Sequence, residues 1–168
     1  HSSGNHAHAL ALAGKLLGAA VTVEMPENAP RVKREAPENY GARVITCKPT
    51  LAARESAARR AMEKTGASMV HPYEHPHAVA GQGPAALEVL AQVPDLDVIV
   101  APIGGGGLLA GTAVVTASHG GVTAIGAEPE GANDAFRGFA RGKRILSDRA
   151  PIASGGLSRA NSCRAGSR

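Results

Sequence analysis

Asp97-Val98-Ile99-Val100-Ala101-Pro102-Ile103-Gly104-Gly105-Gly106-Gly107 is the stretch that decides the fold. From Val98 to Ile103 it is apolar without interruption and rich in β-branched side chains, which predicts a strand over 97–103 with both faces buried. The strand runs directly into four glycines, and the Ala-, Leu- and Val-rich run that follows predicts a helix over 108–117. Val122-Thr123-Ala124-Ile125-Gly126-Ala127 then reads as a second strand. Two strands joined by a helix must be parallel, because only a long crossover returns the chain to the same edge. The expected place of 97–103 is therefore the centre of a parallel sheet covered on both faces.

Working outward, the same alternation covers the rest of the chain. A helix is predicted over 7–17 with Gly18 as its stop, a strand over 21–25 ended by Pro26, and a helix over 30–40 stopped by Gly41. A strand over 43–47 and a helix over 51–64 follow, with Glu55 and Arg59 one turn apart and Gly66 closing the helix. A short strand at Ser68-Met69-Val70 and a helix over 84–92 complete the pattern. The fold class is α/β, an open parallel-sheet sandwich.

The length of 168 residues suits roughly one domain. With 43% hydrophobic and 19% charged residues the chain is a globular protein, and no run approaches the roughly 20 apolar residues of a membrane span. The net charge of +4 comes from scattered residues such as Arg54, Arg59, Arg60 and Lys64, and from Arg159, Arg164 and Arg168 near the end. With two Tyr, two Phe and no Trp to stack on bases, nucleic-acid binding is excluded as a reading. Cys47 and Cys163 match no metal or disulfide spacing, and free thiols in a reducing compartment, the cytoplasm, are expected. His1-Ser2-Ser3-Gly4-Asn5 is a polar loop with no strand before it, and the stretch 155–168 lacks periodicity. Both ends predict a fragment, with residues 1–156 belonging to a larger enzyme domain and 157–168 an unstructured tail.

The four glycines carry the clearest chemical signal. At a strand-to-helix turn they let successive N–H groups converge on one anion, with the helix N-terminus adding positive potential. A phosphate cup is expected, against the plainer reading of a tight turn. Gly105-x-Gly107-x-x-Ala110, with Glu128 about 20 residues on, also satisfies the dinucleotide fingerprint, so an NAD-binding oxidoreductase domain stays open on this segment alone. A non-catalytic α/β module is a further alternative. His71-x-x-x-His75-x-His77 has metal-like spacing, but Pro72 and Pro76 break any helix that would align the rings, and His75 and His77 are expected to be exposed.

Other segments narrow the choice by resemblance. Ser2-Ser3-Gly4-Asn5-His6-Ala7 resembles the SSGNH loop of serine racemases, whose dehydratase relatives carry SAGNHA. With Gly104 to Gly107, His71-Pro72, Gly81-Gln82-Gly83 and Glu128-Pro129-Glu130-Gly131-Ala132-Asn133-Asp134 in matching order, the chain resembles fold-type II pyridoxal-phosphate enzymes of the serine racemase and threonine/serine dehydratase (ammonia-lyase) family. The resemblance covers residues 1–156.

It implies that Gly104, Gly105, Gly106 and Gly107 hold the phosphate of pyridoxal 5′-phosphate and that Asn5 bonds the pyridine-ring hydroxyl. Ser2, Ser3, Gly4 and His6 would surround the carboxylate of a small amino-acid substrate, serine or threonine. Ser3 would be the catalytic acid/base on the face opposite the cofactor-bearing lysine. Glu128, Ala132 through its carbonyl and Asp134 would bind a divalent cation, Mg, Mn or Ca. Tyr73 stands where animal racemases carry an asparagine near the cofactor, and the His71-Pro72-Tyr73 run is similar to the plant-like members. Tyr40 matches a residue of the nucleotide effector site of animal enzymes, and the family is homodimeric. The lysine that carries the cofactor would lie upstream of the SSGNH loop. Lys15, Lys33, Lys48, Lys64 and Lys143 all stand at unrelated positions. Ser154 stands where relatives have aspartate, and the chain as given is expected to be inactive.

Overall fold

A computed structural model describes residues 4–145. Ser2, Ser3, Ser154 and the expected tail 157–168 lie outside the described residues. The chain divides into two compact units, His1–His71 and Pro72–Arg168.

The first unit is a βαβ arrangement flanked by helices. Helix α1 (Asn5–Leu17) turns Ala7, Ala11 and Gly14 to one side at helical spacing, and all three are buried. Gly14 permits the closest approach, since a Cβ there would stand 2.3 Å from Val21 Cγ2. The helix stops at Gly18, in the left-handed region at φ 66°. Strand β1 (Thr22–Pro26) pairs in parallel with β2 (Arg43–Cys47), from Thr22 opposite Arg43 to Pro26 opposite Cys47. Their crossover is α2 (Arg31–Asn39), followed by Gly41 at φ 85°. Helix α3 (Leu51–Thr65) starts at Thr50, whose hydroxyl oxygen accepts the Ala53 N–H at 3.2 Å, and ends at Gly66. Small side chains bring these layers together. Ala7, Ala11, Val23, Met25 and Ala42 form the core.

The second unit repeats the logic. Helix α4 (Pro76–Ala80) and α5 (Gly83–Gln92) precede β3 (Val98–Pro102). Helix α6 (Gly107–His119) crosses to β4 (Thr123–Ala127), which pairs in parallel with β3 from Val98–Thr123 to Pro102–Ala127. A short 3-10 turn (Glu130–Ala132) leads to α7 (Asp134–Arg141). Ala86 and Leu90 of α5 meet Val115 of α6 in the core. Gly83 and Gly111 set the spacing, since a Cβ on Gly111 would lie 2.8 Å from the Gly83 nitrogen and 2.7 Å from the Val79 carbonyl oxygen. Glycine inside α6 costs helix propensity of about 1 kcal/mol, and close packing against the α4–α5 backbone is what it gains.

The α/β parallel class holds, and among the described residues each unit carries one two-stranded parallel sheet. Two expectations change. The run Ser68-Met69-Val70 forms no strand among the described residues. Met69 and Val70 are exposed, and the Val70 carbonyl accepts a hydrogen bond from His6 Nε2 at 3.0 Å. Three residues are too few to hold a ladder once their acceptor is used elsewhere. β3 is also not central among the described residues. It pairs with β4 alone, and Val100 is 62% exposed. Two helices were not foreseen, α4 and α7. Pro76 begins α4 as its first residue rather than ending a helix.

Candidate functional site

The glycine turn sits at the carboxyl edge of β3, where ligands bind in open α/β sheets. The ladder continues one residue past the strand, with the Ile103 N–H donating to the Ala127 carbonyl at 2.9 Å, which fixes where the turn begins. Three of its glycines answer to three different demands. Gly106 has φ 87° and is the N-cap of α6, its carbonyl accepting the Ala110 N–H at 2.9 Å. A Cβ on Gly105 would stand 2.3 Å from Cγ and Cδ1 of Tyr73, so the ring lies where a side chain would be. A Cβ on Gly107 would come within 3.1 Å of Tyr73 Cβ and 3.2 Å of its Cα. Helix α6 has no side-chain cap and no acidic residue in its first turn. Its opening amides keep no carboxylate of their own, and a helix of 13 residues places positive potential there.

The other strand of the pair ends in an acidic loop. Because β3 and β4 are parallel, Glu128 emerges at the same edge as the glycines. Its carboxylate accepts the Ala135 N–H at 3.1 Å through Oε1 and the Phe136 N–H at 2.9 Å through Oε2. Glu128 thus caps α7 from six residues before the helix starts. Asp134 is 3% exposed, and burial pushes its carboxyl up. Its own backbone N–H opposes that shift, the nearby Glu128 charge adds to it, and Arg137 opposes it. Ala132 is buried between them in sequence, also at 3% exposure. The expected ligands Glu128, Ala132 and Asp134 thus fall within one compact turn.

Glu128 also bears on the dinucleotide reading. A ribose hydroxyl would share that carboxylate with the two α7 amides it already accepts, as would any other ligand of Glu128. The histidines gather no metal site. His75 caps α4 through Nδ1, which accepts the His77 N–H at 3.2 Å, and both rings are exposed. Among the described residues no group of three or more His, Cys, Asp and Glu is placed to hold a metal ion.

In the first unit, Gly4 rather than a serine or Asn5 caps α1. The Gly4 carbonyl accepts the Ala7 N–H at 2.9 Å, with no side-chain capping bond. Asn5 is the first helical residue and is exposed, so its amide is not consumed by the helix start. Tyr40 packs against the core with Lys15 Nζ 5.8 Å from its ring centroid.

A groove of about 610 Å³ runs along the flank of α6, β4 and α7, lined chiefly by Ile103, Leu109, Ala113, Phe136 and Phe139. Phe136 and Phe139 are 71% and 76% exposed. Sequence reasoning missed this groove because it missed α7, and it missed the Tyr73–Gly105 contact because no local spacing rule connects the two positions.

No helix among the described residues is long and apolar enough to cross a membrane. Residues 1–166 match the family described as pyridoxal-phosphate dependent enzyme. The chain is 43% identical over 152 residues to a beta-hydroxyaspartate dehydratase of Paracoccus denitrificans, covering 90% of this chain and 48% of that protein. It is 46% identical over 144 residues to the serine racemase of Homo sapiens, covering 85% of this chain and 42% of the relative. Among solved structures, maize serine racemase superposes with a TM-score of 0.92 at 40% identity, covering 96% of this chain and 49% of that one. The chain spans about half the length of the relatives it matches. With its parallel α/β units and its glycine turn at a strand's carboxyl edge, the chain belongs to the pyridoxal-phosphate dependent enzymes.

Proposed function

We propose that residues 1–156 are the part of a serine racemase/ammonia-lyase that holds the cofactor phosphate and one wall of the substrate site. The observation that carries this reading is the 104–107 turn. Gly105 and Gly107 let the turn pack directly on Tyr73, Gly106 turns the chain, and the uncapped amides of α6 follow. These donors suit a dianionic phosphate. Bound pyridoxal phosphate supplies an electron sink that makes the α-proton of an amino acid removable. Asn5 would bond the pyridine-ring hydroxyl, and Ser2, Gly4 and His6 would hold the substrate carboxylate. Ser3 would deliver or remove the α-proton on one face.

The substrate class follows from the relatives' chemistry. Serine and β-hydroxyaspartate share a hydroxyl on the carbon next to the α-carbon, so loss of water after α-proton removal serves both. Serine is the substrate proposed here, with threonine and hydroxyaspartate in the same class. Racemisation needs a proton taken from one face and returned to the other, whereas elimination needs one base. Glu128, Asp134 and the Ala132 carbonyl are proposed to hold Mg²⁺, Mn²⁺ or Ca²⁺, all being hard oxygen donors. The reducing cytoplasm is proposed as the chain's compartment, where Cys47 stays a free thiol.

The test separates the two activities. In an enzyme completed to the length of its relatives, Ser3→Ala should lower serine racemisation by about a hundredfold or more while elimination from L-serine falls by less than about threefold. Equal loss of both would assign Ser3 to substrate positioning instead. The 168-residue chain alone should leave L-serine unchanged, and turnover by it would overturn the reading of residues 1–156 as an incomplete site.

A further inference from the structure

Tyr73 is buried, at 7% exposure, and its ring lies against the glycine turn at 104–107. Four consecutive glycines have the largest backbone freedom to lose on ordering. Loop sequence alone does not hold them in a single shape. The segment from Tyr73 to Gly83 supplies what the glycines lack. Gly105 rests on the Tyr73 ring, Gly107 on the Tyr73 Cβ and backbone, and Gly111 on the Val79 carbonyl and the Gly83 nitrogen. These contacts form a continuous floor under the turn and the first two turns of α6. Tyr73 stands between Pro72, whose φ is fixed, and α4, which begins at Pro76. A flat, rigid ring at this floor allows the Gly105 backbone to lie close without a gap, which a branched aliphatic side chain of similar volume does not.

We propose that Tyr73 is a positioning residue for phosphate binding, its ring holding the 104–107 turn in the shape that points its amides at the anion. This rests on the phosphate reading of that turn. The contact with Gly105 is made by ring carbons, so Tyr73→Phe, which keeps the ring, tests the ring alone.

The test uses pyridoxine 5′-phosphate and pyridoxine, which differ only in the phosphate and carry no aldehyde to react with lysines. Their binding to the 168-residue chain is followed by ligand fluorescence, with circular dichroism melts as the folding check. The chain should bind the phosphate ester at least about tenfold more tightly than pyridoxine. Tyr73→Phe should stay within about twofold of that, while Tyr73→Leu and Tyr73→Ala should weaken the ester by about tenfold and leave pyridoxine within about twofold. If Tyr73→Ala fails to melt cooperatively, Tyr73→Leu, which keeps a large apolar side chain there, decides. A normal preference in Tyr73→Leu overturns the role of the ring and leaves the phosphate cup standing. Absence of any preference in the unaltered chain overturns the cup, and the role of Tyr73 with it.

Discussion

The loops that follow β3 and β4 leave the same edge of one parallel pair and are built on opposite terms. After β3 the chain offers no side chains at all, and after β4 it offers carboxylates. At 104–107 the chain offers main-chain amides that no side chain caps, while glycine lets the turn pack on Tyr73. At 128–134 the main chain is instead served by a side chain, with Glu128 accepting the α7 amides. On the proposed function, these neighbouring parallel strands would present a site for an anion beside one for a cation. The comparison also says how each loop should fail. The first breaks when a carbon is added and the second when an oxygen is removed.

The largest expected effect is therefore Gly105→Ala. A methyl group 2.3 Å from the Tyr73 ring forces a shift of a buried aromatic or of the turn, and overpacking of this kind costs about 1–3 kcal/mol. Urea unfolding should show that loss, and it should shrink by more than half in a Tyr73→Ala background, where the ring is gone. An undiminished cost in the double variant would mean that Gly105 is needed for its backbone and not for Tyr73.

Smaller effects are expected in the acidic loop, and there the two carboxylates should respond oppositely. Glu128→Ala removes the acceptor of two amide bonds and should cost about 1–2 kcal/mol, as cap losses do. Asp134→Asn should instead raise the melting temperature slightly at pH 7 in the presence of a chelator. The sign follows from the buried carboxyl. Its folded pKa is raised, so the folded state holds the proton more tightly, and stability falls as pH rises from the ordinary carboxylate range through the raised value. The gain should vanish below that range. With Ca²⁺ or Mg²⁺ present the order should reverse, because the cation stabilises the unaltered loop and not Asp134→Asn. Melting curves unmoved by either ion would remove the cation from the account and leave the α7 cap intact.

Much of the fold was legible because its punctuation is chemical. Gly18, Gly41 and Gly66 were read as helix stops, and each adopts positive φ at a helix end. The glycine turn was legible for the same reason, since a strand, four glycines and a helix admit few geometries. What escaped depended on contacts between distant positions. The apolar run 97–103 reads as a central strand, yet nothing local tells how many partners it finds, and among the described residues it finds one. Asp134–Arg141 carries Phe136 and Phe139 at helical spacing, a legible signal that the sequence reading passes over, and its first turn is fixed by Glu128 from outside the helix. Glu128 was singled out as a ligand, and its role as a cap needed the structure. Tyr73 was noted for its place in a resemblance, while its contact with Gly105 is visible only in three dimensions.

The contrast between the two loops is tested most directly by diffraction from crystals of the 168-residue chain grown with pyridoxine 5′-phosphate and Mn²⁺, the metal being located by its anomalous signal. The account predicts phosphate density against the main-chain nitrogens of Gly105, Gly106 and Gly107 at the start of α6. It predicts the anomalous peak among Glu128, the Ala132 carbonyl and Asp134. Phosphate density away from the glycine turn, with the metal bound elsewhere or nowhere, would contradict it.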